Sequence, residues 1–229
     1  MNTDKGVLCQ TLKKVSARYH ADQETTRTIA NASELYRLWK VDSSAYGHCS
    51  IPFEQLLEWW RAYPNGITAL FHKSEIQGAI EIWPLGNSVA QKLCAGELSE
   101  KEITADQMRP FVDVPCAHWY LSGMMLRTLQ RKTAAIKAIL AGTCSSFVAH
   151  SQFQFPMTIL ALGYSKEGIC FLRRFGFRKL RSEKAMPDRC ALYSLHIDTW
   201  EAGVRLMRSR CLLGGARGKR RPTVSLQPR

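Results

Sequence analysis

The 229-residue chain has no apolar run near the ~20 residues needed to span a bilayer. Its opening, MNTDKGVLCQTLKKVS, holds no apolar core of signal-peptide length. These two absences argue against a helical membrane protein and predict a soluble, cytoplasmic one. Eight cysteines stand at positions 9, 49, 94, 116, 144, 170, 190 and 211, yet no two form a Cys-x-x-Cys pair. Cys116 lies near His118, but no second ligand pair follows at zinc-site spacing, so neither a metal site nor a disulfide framework is expected. Scattered cysteines of this kind read as reduced thiols, many of them in the core. Acids are missing from residues 202–229, which carry Arg205, Arg208, Arg210, Arg217, Lys219, Arg220, Arg221 and Arg229.

Hydrophobic residues make up 45% of the chain, which predicts a globular protein with a sizeable core. The net charge of +13 is uneven. With those eight cations set aside, residues 1–201 hold 24 bases against 19 acids, or +5. The end segment GGARGKRRPTVSLQPR has no apolar periodicity and is expected to be disordered. A basic tail can touch nucleic acid or an acidic membrane surface, or simply aid solubility. The division expected is a folded body over 1–201, followed by a terminal helix and basic tail over 202–229.

Along the body, VLCQTLKKVSARYH alternates in part and reads as a first strand. NASELYRLWKVDSSAYG predicts a helix capped by Ser33, with Leu35, Leu38, Trp39 and Val41 as its stripe. SIPFEQLLEWWRAYPNG predicts a second, with Pro52 in its first turn, a face of Phe53, Leu56, Leu57 and Trp60, and a stop at Pro64-Asn65-Gly66. Two strands follow, ITALFH and IQGAIEIWPL, joined by Lys73-Ser74-Glu75. Residues 86–116 break the rhythm and read as an insertion: a short helix, a polar turn and an irregular return. AHWYLSGMML is apolar on both faces, as a central strand should be. TAAIKAILAGTCSSFVAH is a helix, FPMTILALGYS a buried strand, and KEGICFLRRFGF a short helix ended by Gly176. RKLRSEKAMPDRCALYSLHI predicts a hairpin, and TWEAGVRLMRSRCLL a last helix. A strand–helix–strand unit in the middle implies a right-handed crossover between parallel neighbours, flanked by antiparallel pairs. The fold class expected is α/β, with a mixed central sheet flanked by helices.

The segment LRTLQRKTAAIKAIL places Arg127, Arg131 and Lys132 at the start of a helix, where the dipole disfavours cations unless an anion joins them. Gln130-Arg131-Lys132-Thr133-Ala134-Ala135 lies between the central strand and this helix. The pattern resembles the Gln/Arg-x-x-Gly-x-Gly/Ala loop of the GNAT superfamily of acyl-CoA-dependent N-acetyltransferases, with Thr133 in place of the central glycine. Ser165-Lys166-Glu167-Gly168-Ile169-Cys170-Phe171-Leu172-Arg173-Arg174-Phe175-Gly176-Phe177 is similar to that family's next helix, Asn-x-x-Ala-Ile-x-Phe-Tyr-x-Lys-x-Gly-Phe. The resemblance covers roughly residues 30–195. It implies a GNAT-like fold and an N-acyltransferase that moves an acetyl or other acyl group from coenzyme A directly to an amine. It implies a pyrophosphate site at Gln130, Arg131, Lys132, Thr133, Ala134 and Ala135, with Ser165 and Arg174 opposite. It also implies that Gly123, Met124 and Met125 of the central strand meet the thioester. Leu172 stands where many members keep a tyrosine that protonates the leaving thiolate, so that acid is absent from that position.

The chemistry needs a base for the ammonium and donors for the oxyanion. Glu81 faces opposite to Ile80 and Ile82 and is a candidate base. So is His118, which titrates near neutrality. Ser122 shares a face with His118 by period two and can position water. Tyr164, near a strand end, can replace the missing acid. Of Trp59 and Trp60, one belongs to the core and the other can line an acceptor pocket. The acceptor amine and the acyl chain are left open, with the insertion expected to border the acceptor. Two other readings compete: a GNAT fold without catalysis that serves as an interaction module, and nucleic-acid binding through the basic tail.

Overall fold

The computed structural model describes residues 2–19, 24–47, 51–108, 115–127, 132–150 and 153–209. Among the described residues seven strands form one sheet: β1 (Glu24–Thr28), β2 (Ile67–His72), β3 (Glu75–Leu85), β4 (Cys116–Leu126), β5 (Phe153–Gly163), β6 (Arg178–Arg181) and β7 (Ala191–Ile197). Their order is β1-β2-β3-β4-β5-β7-β6. Only β4 and β5 pair in parallel; every other pair is antiparallel. The sheet is mixed and flanked by helices, as the GNAT-like fold expected from the sequence has it.

The opening segment is a helix and not the expected strand: α1 spans Asn2–Tyr19. Leu8, Leu12 and Ser16 recur every four residues and are buried, which puts them on one helical face. That face packs on α5 (Lys132–His150), where the Ser16 hydroxyl donates to the Ala138 carbonyl at 2.9 Å. The local alternation in VLCQTL was weaker evidence than this period of four. β1, with the polar sequence ETTRT, is a strand that the reading above does not contain. It is an edge strand, held by Arg27. Its guanidinium donates to both carboxylate oxygens of Glu34, at 2.8 and 2.6 Å, and lies 4.0 Å over the Phe71 ring.

α2 (Ala32–Tyr46) is capped by Asn31, whose side chain accepts from the Glu34 amide, so Ser33 is not the cap. α3 (Phe53–Ala62) follows Pro52 at its N-cap and buries Leu56 and Trp59, while Phe53, Leu57 and Trp60 are half-buried. Trp59 is thus the core member of the tryptophan pair, stacked edge-on to Trp83 with centroids 5.6 Å apart. The β2–β3 hairpin forms as expected, with Lys73 in the left-handed region at φ 57. Between β3 and β4, α4 (Asn87–Ala95) is followed by 3-10 turns at Glu100–Glu102 and Ala105–Gln107. α6 (Lys166–Phe175) ends at Gly176 in the left-handed conformation. α7 (Trp200–Met207) closes the described chain. Residues 210–229, which contain most of the basic tail, lie outside the described residues.

α1, α5 and α7 share an apolar layer with Leu70 and Ile80 of the sheet. α2 and α3 pack with Trp83 and Tyr120. Among the described residues no helix is long and apolar enough to cross a membrane.

Candidate active site

β4 is bonded to β3 from His118, opposite Leu85, to Leu126, opposite Gly78. Its register with β5 ends at Leu121 opposite Ala161. Beyond Leu121 the two parallel strands part, while β5 stays paired to β7 up to Gly163. The sheet therefore splits between β4 and β5, and a cavity lined by Ser122, Gly123, Met124, Leu162 and Leu172 fills the split. A strand edge without a neighbour presents backbone groups that need partners. One is met from α2: the Tyr46 hydroxyl donates to the Met124 carbonyl at 2.9 Å.

The β3–β4 register slips between Glu81 and Ile82, so that Ser122 is the extra residue of a bulge. The bulge turns Ser122 toward Glu81. Its hydroxyl donates to the Glu81 carboxylate at 2.9 Å and accepts from the Trp83 indole N–H at 2.8 Å. Gly123 is paired with Glu81, and a Cβ there would sit 3.1 Å from the Glu81 carboxyl carbon. The glycine leaves the room in which that carboxylate lies. Ile80 and Ile82 point to the other face, as the alternation predicts.

A second buried acid comes from the inserted segment. Glu100 accepts from the Tyr120 hydroxyl at 2.8 Å and from the Tyr164 hydroxyl. Glu81, Glu100, Asp42, Tyr46, Ser122, Tyr164 and Ile51 line one small cavity at the floor of the split. Glu81 and Glu100 are only 5% and 3% exposed, which sets their protonation. Burial, reinforced by the charge of Asp42, holds Glu81 well above the ordinary carboxylate value against the opposing bond from Ser122. Burial raises Glu100 to about 7, against the bonds from Tyr164 and Tyr120. Tyr46 and Tyr164 are themselves held above the usual phenol value by burial, so both stay protonated as donors.

Tyr46 and Tyr164 stack edge-on with centroids 6.0 Å apart. They border the acid cavity, the split and a wider cleft of about 690 Å³ at its mouth. Lys40, Arg127 and Ser165 line that mouth. The site is thus basic at its entrance and acidic at its floor.

Glu81, Ser122, Gly123, Met124 and Tyr164, all candidates from the sequence, converge here. Met125 is buried at the edge of the wider cleft. His118 does not join them. Its ring lies 3.0 Å from the Asn87 side chain, about 13 Å back along β4 from Ser122 by strand rise. Ser165 caps α6, its hydroxyl accepting from the Gly168 amide at 3.0 Å. Arg174 is exposed on α6 beside Lys166 and Arg173. Thr133 is exposed in the first turn of α5, Ala134 half-buried and Ala135 buried, so Ala135 offers a ligand only its backbone. Lys132 opens α5; Gln130 and Arg131 lie outside the described residues. Leu172 is buried against the split. Sequence reasoning missed Lys40, Asp42, Tyr46, Glu100 and Tyr120. Glu100 carried a faint signal, since Ser99-x-x-Glu102 is a capping box that fixes its turn.

Among the described residues no group of three or more His, Cys, Asp or Glu side chains is arranged to hold a metal ion. Cys9, Cys94, Cys116, Cys144, Cys170 and Cys190 take part in no disulfide.

No protein-family model matches the chain, and no curated protein matches it. Solved structures of similar shape include Ard1 from Thermoplasma volcanium, 10% identical over 77% of this chain and 98% of that one, with a TM-score of 0.48. Naa50 from Arabidopsis thaliana, in complex with the bisubstrate analogue CoA-Ac-MVNAL, is 11% identical over 76% and 98%, with a TM-score of 0.48. The GNAT-like decarboxylase GphF in complex with isobutyryl-CoA is 14% identical over 75% and 98%, with a TM-score of 0.47. With TM-scores below 0.5, these likenesses do not bear on what this chain binds or catalyses.

Proposed function

We propose that the chain is an N-acyltransferase that moves an acyl group from a coenzyme A thioester to an amine. The observation that carries this reading is the split after Leu121, with a buried carboxylate at its floor. A thin, amide-bearing arm fits between two parted strands, because the free edge of β4 offers it backbone donors and acceptors. Lys40 and Arg127 at the mouth, with the first amides of α5, suit the phosphates outside. Those residues fit the coenzyme; the likeness of the Gln130–Ala135 stretch to a pyrophosphate loop adds to the fit.

The acids suit the amine. An ammonium entering from water loses its proton to Glu81, whose raised basicity makes it an effective acceptor near neutral pH. The freed nitrogen attacks the thioester carbonyl carbon, and the Met124 amide, on the same open side of β4 as the carbonyl that Tyr46 holds, faces the developing oxyanion. The carbon–sulfur bond breaks, and sulfur takes a proton from Tyr164 as that phenol takes the second proton of the attacking nitrogen. Glu100, which accepts from the Tyr164 hydroxyl, holds the phenol in place. Ser122 holds the Glu81 carboxylate in place and acts as a positioning residue.

The test is release of coenzyme A thiol from acetyl-CoA in the presence of a panel of primary amines. Glu81→Gln is expected to slow release by roughly 10²–10⁴ while acetyl-CoA affinity is kept. Release by the variant at the parent's rate would overturn the assignment of the base.

A further inference from the structure

On the face of the sheet away from the acids lies a second cavity, of about 120 Å³, between β5, β7 and helices α5, α6 and α7. Ile80 and Ile82, the neighbours of Glu81, reach it from β3. Its walls are almost wholly apolar, including Phe147, Met157 and Phe175. The Thr143 hydroxyl in its wall is already used, donating to the Ile139 carbonyl at 2.8 Å. A water needs two to four polar partners, and an apolar cavity of ~150 Å³ stays dry and takes up molecules the size of benzene. This one is of the same order and lined in the same way.

Its position gives it an occupant. Leu121 and Phe171 line both this cavity and the split. Leu121 is the last β4 residue in register with β5, so the cavity lies beside the apex at which the strands part. α7 leaves space on the far side. Gly203 is buried in the middle of that helix, where glycine is a poor helix former, and a Cβ there would make only an ordinary contact, 3.5 Å from Ile197. The residue keeps open a space that a larger one would fill.

We infer that this cavity receives the acyl chain of the thioester, and that the chain transferred is a medium-length alkyl acyl group and not acetyl alone. The inference rests on the coenzyme reading above. It assigns Leu121 and Phe171 as the passage from the split and Gly203 as the residue that sets the depth. Each methylene that enters removes apolar surface from water, so affinity rises with chain length until the cavity is full.

The experiment measures dissociation constants of the full chain for acetyl-CoA and octanoyl-CoA, read by tryptophan fluorescence. Octanoyl-CoA is expected to bind at least about tenfold more tightly. Gly203→Leu should remove that advantage and leave acetyl-CoA affinity unchanged. Ile159→Phe, which fills the cavity from β5, should do the same if Gly203→Leu does not fold. Equal affinities in the parent would overturn the acyl pocket and leave the coenzyme reading standing. An octanoyl advantage that survives both substitutions would also overturn it, since the chain would then lie elsewhere. Failure of both thioesters to bind would overturn the coenzyme reading and this inference together.

Discussion

A carboxylate placed in a protein interior is either paired with a cation or shifted toward its neutral form. Glu81 and Glu100 follow the second course. The charges that act on them are other acids: Asp42 on both, Glu100 on Glu81, and Asp188 on Glu100. For Glu100 the sign of the pH effect follows. Its folded value of about 7 lies above the ordinary value, so its contribution to stability is complete below about pH 4 and is lost as pH rises through 7. Glu100→Gln removes that loss. Between pH 5 and pH 8 the urea-unfolding free energy of the variant should gain on that of the parent by about 3 kcal/mol. A constant gap across that range would show that Glu100 is not buried as an acid. Residue by residue, the sequence supplied Glu81 and Ser122 through strand alternation, since period two settles which face each occupies. It could not supply Asp42, Tyr46 or Glu100. These arrive from α2 and from the turns after α4, and only the tertiary fold brings them to β4. His118 lies apart from the cavity for a related reason: alternation fixes its face but not its height along the strand.

At the scale of the element, hairpins and amphipathic helices were legible and the packing of one element on another was not. β2 and β3 were readable because a short polar turn separates two apolar runs. β1 was not, because its pairing is fixed by Arg27 reaching Glu34 on α2, a contact no local pattern encodes. α1 was mistaken for a strand because its apolar face is narrow and its partner is α5, far along the chain. Gly142 on α5 marks how closely these parts meet. A Cβ at that position would lie 2.2 Å from Thr26 of β1. In an open helix, glycine to alanine stabilises by about 1 kcal/mol. Here overpacking opposes that gain, and Gly142→Ala is expected to lower stability by about 1–3 kcal/mol in a denaturant melt. A stabilised variant would mean that β1 and α1 do not seat on α5 as described.

At the scale of the whole molecule, one parallel pair in an otherwise antiparallel sheet produces the site. The crossover through α5 brings β5 beside β4, and the later β7 strand keeps β5 in the sheet after β4 has turned away with β3. The mixed sheet and the crossover were legible from the order of elements. The split was not, because it depends on where a register ends. The central claim is that a coenzyme A thioester occupies this split, and backbone hydrogen exchange with and without acetyl-CoA tests it most directly. Bound thioester should slow exchange at Gly123–Leu126 and in the first turn of α5, with no change in β1 or β2. Unchanged exchange in β4 and α5 at millimolar acetyl-CoA, or protection confined to other elements, would contradict the account.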